Sequence, residues 1–275
     1  MNRIETEFEQ SGESGVALRD GYPESWKKAS WAGNPLLAHR LHLYRRFLPI
    51  PIGLALLVIF RPQLSGNPTV DTLICAIGFF LSATGQSLRF WAWGSNPRTE
   101  QAPVRERGAY ALMRHPLYAG NFLIVAGLTV THNNPMAYVL LLAPFALVYH
   151  LITRTEEQSM MRRFPSEYQR YMAKSLSRFW PTASNLGVAL QTTFPFSWDL
   201  AWRKEYPSCC AWLAGLAGLE LYKQMLAYGW TLSWSTWVCV GVIFSSGTHT
   251  LILRHRKQRA RIVSAGWQRE PQSSN

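Results

Sequence analysis

Apolar runs at 47–60, 70–81, 117–130, 136–152 and 237–253 carry almost no charge, and the Lys, Arg, Asp and Glu residues gather in the joints between them. Unbroken apolar runs with charged joints are the pattern of a chain that crosses a membrane repeatedly. The expected fold class is therefore all-α: a polytopic membrane helix bundle of about six transmembrane helices.

Composition agrees once its distribution is considered. A chain of 275 residues would suit one or two soluble domains, and 48% hydrophobic residues alone would not separate a soluble from a membrane protein. The mean hydropathy of −0.07 reflects long polar ends that dilute the spans. A formal charge of +12 raises the question of nucleic acid, but the basic residues flank apolar runs instead of forming a separate basic domain, so no nucleic-acid partner is expected. Cys75, Cys209, Cys210 and Cys239 fall in or beside apolar segments without a CxxC pair, which argues against a metal or disulfide framework. Cys209 and Cys210 read either as buried small residues or as lipidation sites at a membrane edge.

Along the chain, residues 1–40 are polar and mixed in charge, which predicts a disordered cytosolic tail and no cleavable signal peptide. A core follows at 41–182. Its first span covers about 42–60 and contains Pro49 and Pro51, which should bend it. The second runs about 70–92, with Gly78, Ser82 and Gly85 on one face for close helix contact. A hairpin of spans at about 116–131 and 135–154 turns at Thr131-His132-Asn133-Asn134-Pro135. Residues 155–180 are amphipathic and suit the inner leaflet. An interfacial linker at 183–207 carries Trp198 and Trp202, and two further spans lie within 208–254, at about 208–228 and 233–253. Ala211, Gly215 and Gly218 suggest tight packing of the fifth span, and 255–275 forms a basic cytosolic tail. Of all Lys and Arg residues, only Arg61 and Lys223 fall outside 1–46, 89–115, 154–204 and 254–275, an asymmetry that places both termini in the cytosol.

Two polar segments could carry chemistry. Pro116 suits the first position of a helix, and the N–H groups and dipole of that helix end favour an anion. Arg114 and His115 stand just before it, and Tyr118 and Gly120 lie one turn in, where Gly120 leaves room for a ligand or a helix. The same residues would also serve as an interfacial anchor. The second segment holds Glu156 and Glu157. Adjacent helical residues differ by about 100°, so both carboxylates cannot enter one pocket. His150, Thr153 and Glu157 share a face, which favours Glu157 as the inward residue; a surface pair with Arg154 or Arg162 is the alternative.

Arg114-His115-Pro116-Leu117-Tyr118-Ala119-Gly120, preceded by Gly108 and Tyr110, resembles the RHPxYxG signature of the isoprenylcysteine carboxyl and phospholipid methyltransferases of membranes. Glu156-Glu157, followed by Phe164-Pro165-Ser166-Glu167-Tyr168 and Tyr171, resembles that family's second block, and Arg178-Phe179-Trp180-Pro181 its usual ending. The resemblance covers about 75–182. Two features depart from it: Pro165 stands where the family commonly has Gly, and the spans within 208–254 lie beyond the usual ending.

The resemblance implies a pocket at the cytosolic helix ends for S-adenosyl-L-methionine, bounded by Tyr110, Arg114, His115, Pro116, Tyr118, Gly120, Glu156 and Glu157. It implies methylation of the nitrogen or oxygen of a lipophilic or lipid-linked acceptor within membrane lipid. In that picture Tyr110 or Tyr118 lies against the sulfonium, Arg114 and the Pro116 helix end hold the cofactor carboxylate, and Glu157 accepts from its amino group. The two residues given catalytic roles are Glu157 and His115, the latter as a proton acceptor or in a purely binding capacity. Two rival readings remain: an NADPH-dependent enzyme of the sterol-reductase type, and a non-catalytic lipid-binding membrane protein.

Overall fold

The computed structural model describes residues 49–63, 65–96, 104–174, 177–231 and 233–267. The expected tail at 1–40, the start of the first span and the last residues of the basic tail lie outside them. Every regular element among the described residues is helical: α1 (Pro49–Ile59), α2 (Pro68–Gly94), α3 (Ala109–Leu112), α4 (Pro116–His132), α5 (Pro135–Arg163), α6 (Pro165–Met172), α7 (Leu186–Gln191), α8 (Trp198–Tyr228) and α9 (Trp234–Trp267).

Local sequence explains the boundaries. Asn67 caps α2 by accepting from the Thr69 N–H at 3.0 Å, and Pro68 takes the first helical position. α4 starts at Pro116 and ends at His132, where Asn133 adopts the left-handed conformation (φ 55°). Asn134 then caps α5, accepting from the Met136 N–H at 2.9 Å. The polar cluster at 131–135 is thus the expected turn. A wide π-helical turn at Tyr138–Leu142 precedes Pro144, whose ring nitrogen cannot donate to the preceding turn.

Helices α2, α5 and Trp234–Leu253 of α9 are long and apolar enough to cross a membrane. The other three expected spans correspond to α1, described for 11 residues, to the 17-residue α4, and to α8, whose 31 residues include Arg203, Lys204, Glu205, Glu220 and Lys223.

The tightest pairing joins α2 to α4. A methyl group on Gly85 would sit 2.5 Å from the Gly120 carbonyl oxygen, and one on Gly127 would sit 2.4 Å from that of Gly78. The small face at Gly78, Ser82 and Gly85 is therefore buried in backbone contact, and Gly120 makes room for a helix. Gly215 and Gly218 behave otherwise. A methyl on Gly215 would be no nearer than 3.7 Å to Leu128, and one on Gly218 would meet nothing within 4 Å, so the expected tight packing of the fifth span does not occur there.

Two boundaries differ from expectation. α5 continues to Arg163, because 155–163 contains good helix formers and no Gly or Pro; Pro165 then separates it from α6. The amphipathic stretch is therefore the end of one helix, a short second helix and, at 177–180, a bent non-helical segment. α8 begins at Trp198, inside the expected linker, where the Ser197 hydroxyl accepts from the Leu200 N–H at 3.3 Å, and it continues through Pro207. Residues 198–207 are thus the first turns of a helix that packs against α2 and α4.

Candidate active site

The non-helical segment at 177–182 fastens the first motif in place. The Arg114 and His115 N–H groups donate to the carbonyls of Ser177 and Arg178 at 2.9 Å each, and the Thr182 N–H donates to the Leu112 carbonyl at 3.0 Å. Tyr171, buried at 2% exposure, donates its hydroxyl to the Tyr110 carbonyl at 2.8 Å. From the far side, the Gly108 N–H donates to Thr192 Oγ1 at 3.1 Å, and Trp91 Nε1 donates to Thr193 Oγ1 at 2.8 Å. The segment carrying Tyr110, Arg114 and His115 is therefore held by backbone pairing on one side and by threonine hydroxyls on the other.

Within this frame lies a cavity of about 810 Å³. The end of α2 contributes Arg89 and Trp93, the following loop Arg105, and α3 Tyr110. The residues leading into α4 supply Arg114 and His115, and its first turns supply Tyr118 and Asn121. α5 supplies Tyr149, Glu156, Ser159 and Arg163, and α6 supplies Tyr168 and Tyr171. Among the described residues, four arginines and one carboxylate line the space. Burial pushes the phenols of Tyr110, Tyr168 and Tyr171 above the usual tyrosine range, so these walls stay neutral.

The two glutamates occupy different positions. Glu156 lines the cavity and accepts from the Tyr118 hydroxyl. Glu157 lies behind the wall at 0% exposure. Its carboxylate accepts from Arg114 Nη1 at 3.0 Å and lies 3.1 Å from His115 Nε2. Arg178 grips it with Nη2 at 2.9 Å and Nε at 3.0 Å. Glu157 is the inward residue of the pair, as its helical face suggests, but its oxygens are committed to three basic side chains. The cavity-facing carboxylate is Glu156. Pro116 is fully buried under the helix start, and Gly120 faces Arg89 and Gly85 of α2.

Several cavity residues were not anticipated as site residues. Arg178, which grips Glu157 behind the wall and does not line the cavity, was legible as part of the family's usual ending. Arg89 stood out in sequence as a charge at the edge of an apolar run. It forms a two-pronged ion pair with Glu205 of α8, with Nε and Nη2 each 2.8 Å from a carboxylate oxygen, and it also donates to Asn121. Trp93 has two cations near its ring, Arg105 at 4.2 Å and Lys204 at 5.3 Å from the ring centre.

A family model described as phospholipid methyltransferase matches residues 69–167, the stretch containing both glutamates and the Arg114–Gly120 motif. The chain is similar to the cobalt-zinc-cadmium resistance protein CzcN of Cupriavidus metallidurans, 30% identical over 152 residues, which is 55% of this chain and 68% of that protein. It is also similar to the nickel-cobalt-cadmium resistance protein NccN of Alcaligenes xylosoxydans xylosoxydans, 26% identical over 151 residues, covering 54% and 68% of the two chains. No solved structure matches the chain.

Proposed function

Because this chain belongs to the phospholipid methyltransferase family of membrane proteins, we propose that it is an S-adenosylmethionine-dependent methyltransferase acting on the oxygen or nitrogen of a lipophilic or lipid-linked acceptor. The observation that carries the proposal is the single cavity on which Tyr118 of the first motif and Glu156 of the second converge, with their hydroxyl and carboxylate in contact.

The donor set fits the cofactor. Arg114 lines the cavity and brings a fixed positive charge for a carboxylate. Glu156 supplies an acceptor for an ammonium group, and the Tyr110 and Tyr118 rings supply faces for a cation. When bound, S-adenosylmethionine provides a methyl group on a positively charged sulfur whose charge disappears on transfer. The protein's task is then alignment of donor and acceptor, an effect worth roughly 7–11 kcal/mol in well-oriented systems. Glu157 contributes by holding Arg114 and His115 at fixed positions on the cavity wall. His115 is the side chain suited to receive a proton from the acceptor.

The wider reading is a bundle of about six spans, with both termini and the cavity on the cytosolic side and a lateral path for a membrane-dissolved acceptor. The grouping of basic residues supports that sense. The relatives' names add a second, physiological reading: methylation by this chain serves tolerance to divalent metals. Growth of a strain lacking the gene in cobalt or cadmium tests that reading. The chemical proposal is tested by incubating purified protein with methyl-labelled cofactor and host lipid extract. A labelled lipid that disappears with Glu156→Gln supports it, and an unlabelled extract from folded, cofactor-saturated protein opposes it.

A further inference from the structure

Helix α8 lies beyond the segment matched by the family model, yet it reaches the cavity wall through Glu205. This carboxylate is 0% exposed. It accepts from Arg89 Nε and Nη2 at 2.8 Å each and from Gln86 Nε2 at 3.0 Å. Gln86 is itself held by the Ser208 hydroxyl, which donates to Gln86 Oε1 at 3.1 Å. From Arg89 the network continues through Asn121, whose Nδ2 donates to the Tyr149 hydroxyl at 2.9 Å. The Tyr149 ring packs edge-on against Tyr118, with centroids 4.9 Å apart. Arg89, Asn121, Tyr149 and Tyr118 all line the cavity.

As a packing device, a buried carboxylate is a poor choice, because apolar residues of similar volume join helices at least as well. What Glu205 delivers is a guanidinium fixed in the cavity wall. Among the described residues, three of the five Arg89 N–H donors are engaged by Glu205 and Asn121, which leaves two for an anionic group of a ligand. We propose that Glu205 is a positioning residue: through Arg89 it sets the Asn121–Tyr149–Tyr118 wall of the cofactor cavity, which makes α8 a working part of the site. The proposal rests on the methyltransferase reading above.

The test measures S-adenosylmethionine affinity and thermal melting on full-length protein in lipid nanodiscs for wild type, Glu205→Gln, Glu205→Asp and the apolar double variant Arg89→Met/Glu205→Leu. Wild type binds. Glu205→Gln binds about tenfold more weakly, Glu205→Asp recovers part of the affinity, and the double variant melts like wild type while binding as weakly as Glu205→Gln. A merely structural role gives a different pattern, in which the double variant recovers melting and affinity together; that result overturns the proposal. Loss of folding in Glu205→Gln and the double variant alike overturns it as well. Absence of binding by folded wild type defeats the methyltransferase reading itself and takes this inference with it, whereas equal affinity of wild type and Glu205→Gln defeats the inference alone.

Discussion

Replacing Glu157 with glutamine would leave the guanidinium groups of Arg114 and Arg178 facing each other without the carboxylate between them. Breaking a buried pair of this kind costs about 3–5 kcal/mol, so Glu157→Gln is expected to lower the melting temperature clearly and to loosen the loop that bears Arg114. Glu156→Gln should behave in the opposite way. Its carboxylate faces the cavity, so melting should change little, while affinity for S-adenosylmethionine should fall by about tenfold through loss of a charge-assisted contact. Melting curves and ligand titrations on the two variants separate a residue that builds the site from one that meets the ligand. The sequence indicated that the two neighbours point in different directions, and helical geometry explains why. It could not reveal that the buried one is enclosed by three basic side chains. Two of those, Arg114 and His115, come from a segment 42 and more residues away, and Arg178 arrives only through the backbone pairing of 177–182 with 112–115.

At the scale of elements, the crossing of α2 and α4 sets the distance between Arg89 and Tyr118 across the cavity. Backbone meets backbone at Gly78–Gly127 and Gly85–Gly120, so a larger side chain has no space there. Gly127→Leu is expected to force the helices apart at a cost of at least about 1–3 kcal/mol and to lower both melting temperature and cofactor affinity. Gly218→Leu, where a side chain meets open space, should change neither. The small-residue stripe on α2 was legible because its spacing puts Gly78, Ser82 and Gly85 on one helix face. The similar stripe on α8 misled for the same reason. Spacing shows which residues share a face, and only the assembled bundle shows whether another backbone comes close to it. Helix ends followed a similar rule. Those set by Pro and Asn, at 116 and 131–135, were readable, whereas α5 ran past its apolar stretch and α8 began before its own, since charged helix formers leave no stop signal.

At the scale of the whole molecule, a helical membrane protein carries a cavity built mainly from the matched segment, closed by Tyr168 and Tyr171 just beyond it and braced by a helix farther along the chain. If six spans cross the membrane, reporters fused to the two termini should both report from the cytosol; opposite locations would require an odd number of spans and a different placement of the basic segments. The central claim is that the cavity receives S-adenosylmethionine. Its most direct test is titration of full-length protein in nanodiscs with that cofactor and, in parallel, with NADPH. The account predicts saturable one-site binding of S-adenosylmethionine, weakened by Glu156→Gln and by Tyr118→Ala, with no binding of NADPH. Binding of NADPH instead, or S-adenosylmethionine binding indifferent to both substitutions, would contradict it.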